Sequence, residues 1–339
     1  MDVENQNLQR VGDLPHIRIV GPPPTLDIPG VRPANARPMK ILLPLALIAF
    51  SLPIQAADPF PDSLKQGQFV IGCQAWTFNR FSVFEAIEKT AATGAKTIEF
   101  FPGQKLSQDE PMIQFSHAPA KGTDRKKPNE KLDAAATKEV WEKVKAKLKQ
   151  HDITPVAYGV VGIPKNTEEA RAIFEFAKYF GIRVLNTESV DAIDTFEPLV
   201  KEYDIKVGFH DHPKKPEHPE YRMWDPNYIM EVCKDRDARI GSCADTGHWV
   251  RSGLKPVDCI RILKGRVVSS HLKDLHAPLP SGHDVPFGTG VSDVKGILDE
   301  YKSLGFFGPI SVEYEYKQED NLAEAKECIE FVRNYGAAK

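Results

Sequence analysis

The sequence predicts an α/β protein folded as a (β/α)8 barrel, on three observations. After Asp58, short runs rich in β-branched and aromatic residues alternate with helical patterns until the count of runs reaches eight. Four of those runs end in a carboxylate or an imidazole, at the strand ends where such a barrel carries its chemistry. An open doubly wound sheet, the competing fold, would place a Gly-rich turn directly after its first strand, where this chain has Cys73-Gln74-Ala75-Trp76. A chain of 339 residues is long for one domain, but this architecture commonly takes roughly 250 residues as a single unit.

The first strand is expected over residues 69–75. Ser82 with Glu85 then forms a capping box for a helix that Gly94 can terminate. The second strand spans 97–101 and is followed by a long loop, 102–136, carrying Lys121, Arg125, Lys126 and Lys127, whose length suggests a lid or pocket wall. From Thr137 a helix presents Val140, Trp141, Val144 and Leu148 on one face. The third strand is 154–161. Thr167 opens a helix with Ala170, Ile173, Phe174 and Ala177 facing inward, and Gly181 ends it before a fourth strand at 183–188. Strand five is 206–210. Asp225-Pro226 is a cap and first-turn pair for the helix leading to strand six, 239–244. Strand seven is 267–271, a helix over 292–304 leads to strand eight at 310–313, and residues 321–335 form the last helix.

Upstream of the barrel, the run from Met39 reads MKILLPLALIAFSLPIQA: a lysine, an apolar stretch from Ile41 to Leu52, and small residues at Ala56 and Ala57. Residues 39–57 thus carry the pattern of a secretory signal peptide and predict export, to the periplasm or beyond the cell. The apolar stretch is shorter than the ~20 residues that span a bilayer, so no stable span is expected after cleavage; an uncleaved anchor is the alternative. Residues 1–38, rich in proline, read either as a misassigned start or as a disordered extension.

Hydrophobic residues make up 41% and charged residues 27% of the chain, the balance of a soluble globular protein. With 44 basic against 47 acidic side chains, the formal charge of −3 offers no broad field for a polyanion, and nucleic acid is not expected as a partner. Nothing in the composition speaks against a homo-oligomer. The five cysteines, Cys73, Cys233, Cys243, Cys259 and Cys328, are odd in number and widely spaced, so they set no disulfide framework; most read as small buried apolar residues, with a single bridge as the alternative in an oxidising compartment.

The chemistry gathers at four strand ends: Leu185-Asn186-Thr187-Glu188, Ala244-Asp245-Thr246-Gly247-His248, Ser270-His271-Leu272-Lys273-Asp274 and Ser311-Val312-Glu313-Tyr314-Glu315. Each has an ordinary explanation taken singly: an Asp before a helix caps it, a lone His is a satisfied structural residue, a strand-end Glu pairs with a Lys. Converging at one barrel mouth, three carboxylates would repel one another without a cation. Together with one imidazole they form an oxygen-and-nitrogen set suited to Mn²⁺, Mg²⁺, Co²⁺ or Zn²⁺.

Several further groups belong to the same mouth. His248 and Lys273 lie just beyond the proposed ligands and can orient them or stabilise an oxyanion, although Lys273 can equally pair with Asp274 at the surface. His210 and His212 are expected to bind substrate hydroxyls rather than metal, unless Asp211-His212-Pro213 simply shapes a turn. Glu99 can bind a hydroxyl or pair with a buried Lys, and Trp76 and Trp249 offer flat faces for sugar stacking or else pack in the core. Gly288-Thr289-Gly290 precedes a helix and reads as a tight turn in preference to a phosphate cradle.

These motifs carry a family resemblance. Gly208-Phe209-His210-Asp211-His212, Asp245-Thr246-Gly247-His248, His271-Leu272-Lys273-Asp274, Val285-Pro286-Phe287-Gly288-Thr289-Gly290 and Glu313 together resemble xylose isomerase-like TIM barrels, especially inosose dehydratases and sugar epimerases, over residues 68–335. The resemblance implies a divalent metal held by Glu188, Asp245, His271 and Glu313. It implies a small-molecule sugar, keto-sugar or polyol as partner, and proton transfer through an enediolate with Glu188 and Glu313 on opposite faces of the substrate. Isomerisation, epimerisation and elimination from a keto-sugar, inosose or 3-keto-glycoside all remain open at this stage. Two rivals come from other classes: an AP-endonuclease-like phosphodiesterase, which shares the barrel, and a non-catalytic sugar-binding protein.

Overall fold

Each strand of the barrel pairs in parallel with the next in sequence, and the last pairs with the first. The computed structural model describes residues 60–109, 113–115, 134–317 and 319–335. Its strands are β1 (Phe69–Gln74), β2 (Thr97–Phe100), β3 (Thr154–Tyr158), β4 (Val184–Thr187), β5 (Lys206–His210), β6 (Ile240–Asp245), β7 (Val267–Leu272) and β8 (Pro309–Val312). The β8–β1 and β1–β2 ladders close the ring, which excludes the open doubly wound alternative; a short antiparallel segment, Lys65–Gln66, is appended to β1. The expected and observed strands agree to within three residues. The largest difference is β3, which stops at Tyr158; Gly159 passes so close to β4 that an added Cβ would lie 2.5 Å from the Asn186 Cβ.

The helices clothe the ring in chain order. They are α1 (Val83–Ala92), α2 (Ala134–Gln150), α3 (Thr167–Phe180), α4 (Ile193–Tyr203), α5 (Pro226–Val232), α6 (Thr246–Arg251), α7 (Pro256–Ile262), α8 (Val294–Ser303) and α9 (Leu322–Arg333). Their ends follow from local chemistry. The Ser82 hydroxyl accepts from the Glu85 N–H while the Glu85 carboxylate accepts from the Ser82 N–H, the reciprocal pair that satisfies two otherwise orphaned donors of α1. Asp225 caps α5 through the Asn227 N–H, with Pro226 as first helical residue. Gly181 ends α3 at φ 74°, a left-handed conformation that glycine adopts without a Cβ penalty.

The core lies between ring and helices. Ala170, Ile173, Phe174 and Ala177 of α3 are buried, as their spacing predicts, and Phe176 and Phe180 join them because Trp141 of α2 packs at 5.3 and 5.8 Å from their ring centroids. All five cysteines are buried and free. Part of the long loop after β2 forms a two-stranded ribbon, Gln104–Lys105 against Gln114–Phe115. Lys121, Arg125, Lys126 and Lys127 fall outside the described residues, as does the whole of 1–59 with its signal pattern. Among the described residues no helix is long and apolar enough to cross a membrane.

Candidate metal centre and active site

Side-chain alternation along parallel strands stacks two layers inside the barrel mouth. The lower layer is a hydrogen-bonded polar network contributed by four strands. Asn186 of β4 donates to Glu99 Oε1 at 2.8 Å, Ser311 of β8 donates to Glu99 Oε2 at 2.6 Å, and Ser269 of β7 donates to Asn186 Oδ1 at 2.7 Å. Two residues further along their strands stand Glu188, His271 and Glu313. His271 reaches down, its Nε2 lying 3.0 Å from Glu99 Oε1. Glu99 is thus fully buried and shared among His271, Asn186 and Ser311. It neither faces substrate nor pairs with a lysine, which corrects the sequence expectation.

The upper layer is the candidate metal centre. One ligand atom each from His210, Asp245, His271 and Glu313 can be chosen so that all lie within 4.8 Å of one another. These residues end β5 and β6, sit inside β7 and follow β8, four consecutive strands of the ring. The structure does not bring Glu188 into this group; His210, expected to bind hydroxyls, takes that place. The two stand at the same level of adjacent strands, but His210 is 2% exposed and turned to Asp245, whereas Glu188 is held at the rim by other partners. There it contacts His212 Nδ1, lies 3.6 Å from His210 Nδ1, and accepts from the Tyr221 hydroxyl at 3.3 Å.

Asp245 resolves the choice between cap and ligand by being placed for both. Its Oδ1 accepts the His248 N–H at 2.8 Å and so caps α6, while Oδ2 turns toward the centre, 3.6 Å from His210 Nε2 and 3.0 Å from Lys273 Nζ. Asp211, buried below, accepts the Asp245 N–H at 2.9 Å and fixes the backbone at this point. Both ring nitrogens of His210, Nδ1 of His271 and Oδ2 of Asp245 are buried without a hydrogen-bond partner. Buried polar atoms are normally satisfied, so three of these that face one another, His210 Nε2, His271 Nδ1 and Asp245 Oδ2, fit a cation in their midst. His271 also has a carboxylate on the nitrogen turned away from that point, Glu99 at 3.0 Å. This is the arrangement that orients metal-binding histidines. Glu99→Gln is accordingly expected to weaken divalent-ion affinity by ~10–100-fold while the protein stays folded. Calorimetric titration of the metal-free protein measures this, and unchanged affinity would remove Glu99 from that role.

Lys273 does not pair with Asp274. Its fully buried ammonium lies 3.0 Å from Asp245, 2.8 Å from Glu313 and 2.8 Å from Glu315. Burial opposes its charge, but these carboxylates outweigh that and hold the ammonium well above its ordinary pKa. Gly247 makes room for the stem, since a Cβ there would meet the Lys273 Cβ at 2.8 Å. Asp274 instead accepts the N–H groups of Gly288 at 2.9 Å, Gly290 at 3.0 Å and Ser292 at 3.0 Å. The Gly288-Thr289-Gly290 turn therefore already holds an anion of the protein's own, and no phosphate is needed to explain it.

Electrostatics differ sharply among the neighbours. Burial would raise the Glu188 carboxyl, but the adjacent imidazoles of His210 and His212 hold it down at about 2. Burial would likewise discharge His210, yet Asp245 and Glu188 lift it to about 10. His248 goes the other way: burial, the dominant influence, keeps it neutral. Its Nδ1 lies 3.0 Å from Arg251 Nη1, which can only donate, so the ring proton sits on Nε2, 3.5 Å from Asp245 Oδ2.

Above the centre opens a cavity of about 250 Å³ lined by Gln74, Trp76, Phe101, Pro102, Gly159, Val160, His210, His212, His248, Glu313 and Glu315. Trp76, 41% exposed, stands at its edge and donates to Glu315 Oε1 at 3.0 Å. Trp249 is buried in the core and takes no part in the mouth. Sequence reasoning missed Glu315, Gln74, Asn186 and Ser269. Glu315, Asn186 and Ser269 each had a local signal, two residues from Glu313, Glu188 and His271 and hence on the same side of an extended chain; Gln74 had none.

Comparisons with known proteins agree with this architecture. A family model described as the xylose isomerase-like TIM barrel matches residues 87–335. No curated protein matches the chain. Among solved structures, an uncharacterised protein from Parabacteroides distasonis shares 29% identity, with 77% of this chain and 97% of that one covered and a TM-score of 0.56. A sugar phosphate isomerase/epimerase from the same organism shares 14% identity, with 84% and 100% covered and a TM-score of 0.56. A D-allulose 3-epimerase from Methylomonas sp., in complex with D-allulose, shares 14% identity, with 81% and 98% covered and a TM-score of 0.55. At such identities the last two show the shared fold alone.

Proposed function

The chain belongs to the xylose isomerase-like TIM barrel family, and on that footing we propose that it is a divalent-metal-dependent isomerase or epimerase acting on a sugar, keto-sugar or polyol. The observation that carries the reading is the convergence of His210, Asp245, His271 and Glu313 within 4.8 Å on the floor of a cavity that one sugar ring can fill. Two imidazoles and two carboxylates, in place of the one and three expected from sequence, favour Mn²⁺, Co²⁺ or Zn²⁺ over Mg²⁺. Such a cation would polarise a substrate carbonyl and acidify the adjacent C–H bond.

The protein's own groups supply the rest. Glu313 faces the cavity as an ionised carboxylate: burial would raise it, but Lys273 and His271 hold it well below its usual range. It is placed to take the proton. Glu188 stands four strands away around the ring of eight, behind His212 of the cavity wall, and this supports assigning it to the opposite side of a sugar. One carboxylate on each side is what proton removal from one face and return to the other requires. Trp76 offers an apolar face to the ring, while His248 and Glu315 are in reach of hydroxyls. A neutral sugar suits this mouth, because the Gly288 turn leaves no vacancy for a phosphate.

Glu313→Gln is expected to slow solvent deuterium incorporation into the substrate by about 100-fold or more. NMR of keto-sugars and 3-keto-glycosides in deuterated buffer with Mn²⁺ or Co²⁺ measures it, and loss of a hydroxyl or glycosyl group in the same spectra would identify elimination in place of epimerisation. Undiminished exchange would reject Glu313 as a proton-transferring group. We propose export as well, on the pattern of residues 39–57; mass spectrometry of the protein recovered from expressing cells should show a mature N-terminus close to Ala57, and an intact residue 39–57 segment would count against it.

A further inference from the structure

One side of the cavity is built by an indole and a carboxylate from neighbouring strands of the ring. Trp76 lies in the turn Ala75–Phe78 that follows β1, and Glu315 lies three residues past the end of β8, which pairs with β1. Both line the cavity. Glu315 Oε1 accepts the Trp76 indole N–H at 3.0 Å, Oε2 accepts the Lys273 ammonium at 2.8 Å, and the Glu315 backbone N–H donates to Asp284 Oδ2 at 3.1 Å. A hydrogen bond at a partly exposed site competes with water and by itself fixes little. Here the acceptor is anchored, because its other oxygen is paired with a buried ammonium that Asp245 and Glu313 hold at 3.0 and 2.8 Å. The indole also packs edge-on against Phe101, with ring centroids 5.0 Å apart at 84°. It is therefore held in one plane although Trp76 is 41% exposed.

We propose that Glu315 is a positioning residue that holds the Trp76 indole as the stacking wall for a sugar ring, and that it serves sugar binding through this brace more than through a hydroxyl of its own. Both of its oxygens already accept from the protein's own donors, so a hydroxyl would have to share one of them. The indole N–H, the one polar group of that side chain, is likewise committed, which leaves the apolar face for the C–H groups of a sugar. Fixing the ring before the ligand arrives removes the ordering cost that a mobile side chain would add to binding. The brace also ties the wall to the proton-transferring side of the site, since the ammonium that anchors Glu315 is the one beside Glu313. This inference rests on the reading of the cavity as a sugar site.

The Trp76 indole N–H reports the brace directly. In ¹⁵N-labelled, Zn²⁺-loaded protein its NMR cross-peak is identified by its absence in Trp76→Phe, and in the wild type it should exchange with solvent about tenfold more slowly than in Glu315→Ala. Exchange as fast as in free tryptophan, or unchanged in Glu315→Ala, overturns the brace, and the first of these needs no variant. D-fructose and methyl 3-keto-glucoside are then titrated, by calorimetry for affinity and with the cross-peak followed in parallel. Glu315→Ala should weaken the tighter-binding sugar by about tenfold in the presence of Trp76 and by less than about twofold in the Trp76→Phe background. An equal loss in both backgrounds shows that Glu315 binds the sugar itself and overturns the proposal. If neither sugar moves the cross-peak while solvent deuterium still enters one of them, the stacking wall is overturned and the sugar reading stands. If neither moves the cross-peak and neither exchanges, both fall.

Discussion

Asp245→Asn is expected to lower divalent-ion affinity by at least ~10³-fold, more than the ~10–100-fold typical of losing a partner that only orients a ligand. The substitution separates the two tasks of this side chain. An asparagine oxygen can still accept the His248 N–H that Asp245 Oδ1 now accepts at 2.8 Å, so α6 keeps its cap and the backbone its course. The other oxygen, 3.6 Å from His210 Nε2 and 3.0 Å from the Lys273 ammonium, becomes an uncharged amide group. If the amide nitrogen takes that place, it sets a donor against an ammonium. Turnover should fall with metal occupancy, and circular dichroism should be unchanged. Isothermal titration of the metal-free variant with Mn²⁺ or Zn²⁺ checks this; wild-type affinity would take Asp245 out of the donor set and with it the centre as described.

Lys273→Met should destabilise the metal-free protein by about 3–5 kcal/mol, the usual cost of leaving buried charge without its counter-ion. The ammonium stands within 3.0 Å of Asp245, Glu313 and Glu315, and methionine fills a similar volume without supplying charge. The three carboxylates would then repel one another, and uptake of protons would relieve them only in part. A divalent cation should recover more stability in the variant than in the wild type, because it answers a larger uncompensated charge. Ligand linkage alone contributes ~2.7 kcal/mol at one hundred times the dissociation constant. Urea denaturation with EDTA and with Mn²⁺, on both proteins, reads the effect. Equal stability of the two in EDTA would show that the ammonium is not the counter-charge of this cluster.

Local chemistry was legible in the residues themselves. The Ser82–Glu85 box, the Asp225-Pro226 start and the left-handed Gly181 depend on neighbours within four residues, and all three stand in the structure as read. So do the bounds of β5 and the burial of the inward stripe on α3. The opposite holds for Lys273: its neighbour in sequence, Asp274, is occupied by three backbone N–H groups, and its partners are 28, 40 and 42 residues away. No spacing rule reaches that far. Glu99 meets His271 across 172 residues, and its role could not be separated from substrate binding without the closed ring.

What the sequence determined alone was the alternation that makes a barrel and the set of strand ends that carry carboxylates and imidazoles, because both follow from side-chain periodicity and short-range capping. What only the tertiary structure decided was which of those groups meet. Asn186 of β4 pairs in register with Gly208 of β5, so Glu188 and His210 reach the rim two residues further on at the same level, and sequence could not rank them. The closed ring leaves His210 buried between Asp245 and Glu188, and gives Glu188 to His212 and Tyr221, which hold it at the rim. Ligand choice between two groups at one level turns on the partners that neighbouring strands and loops bring to each, and not on either strand by itself.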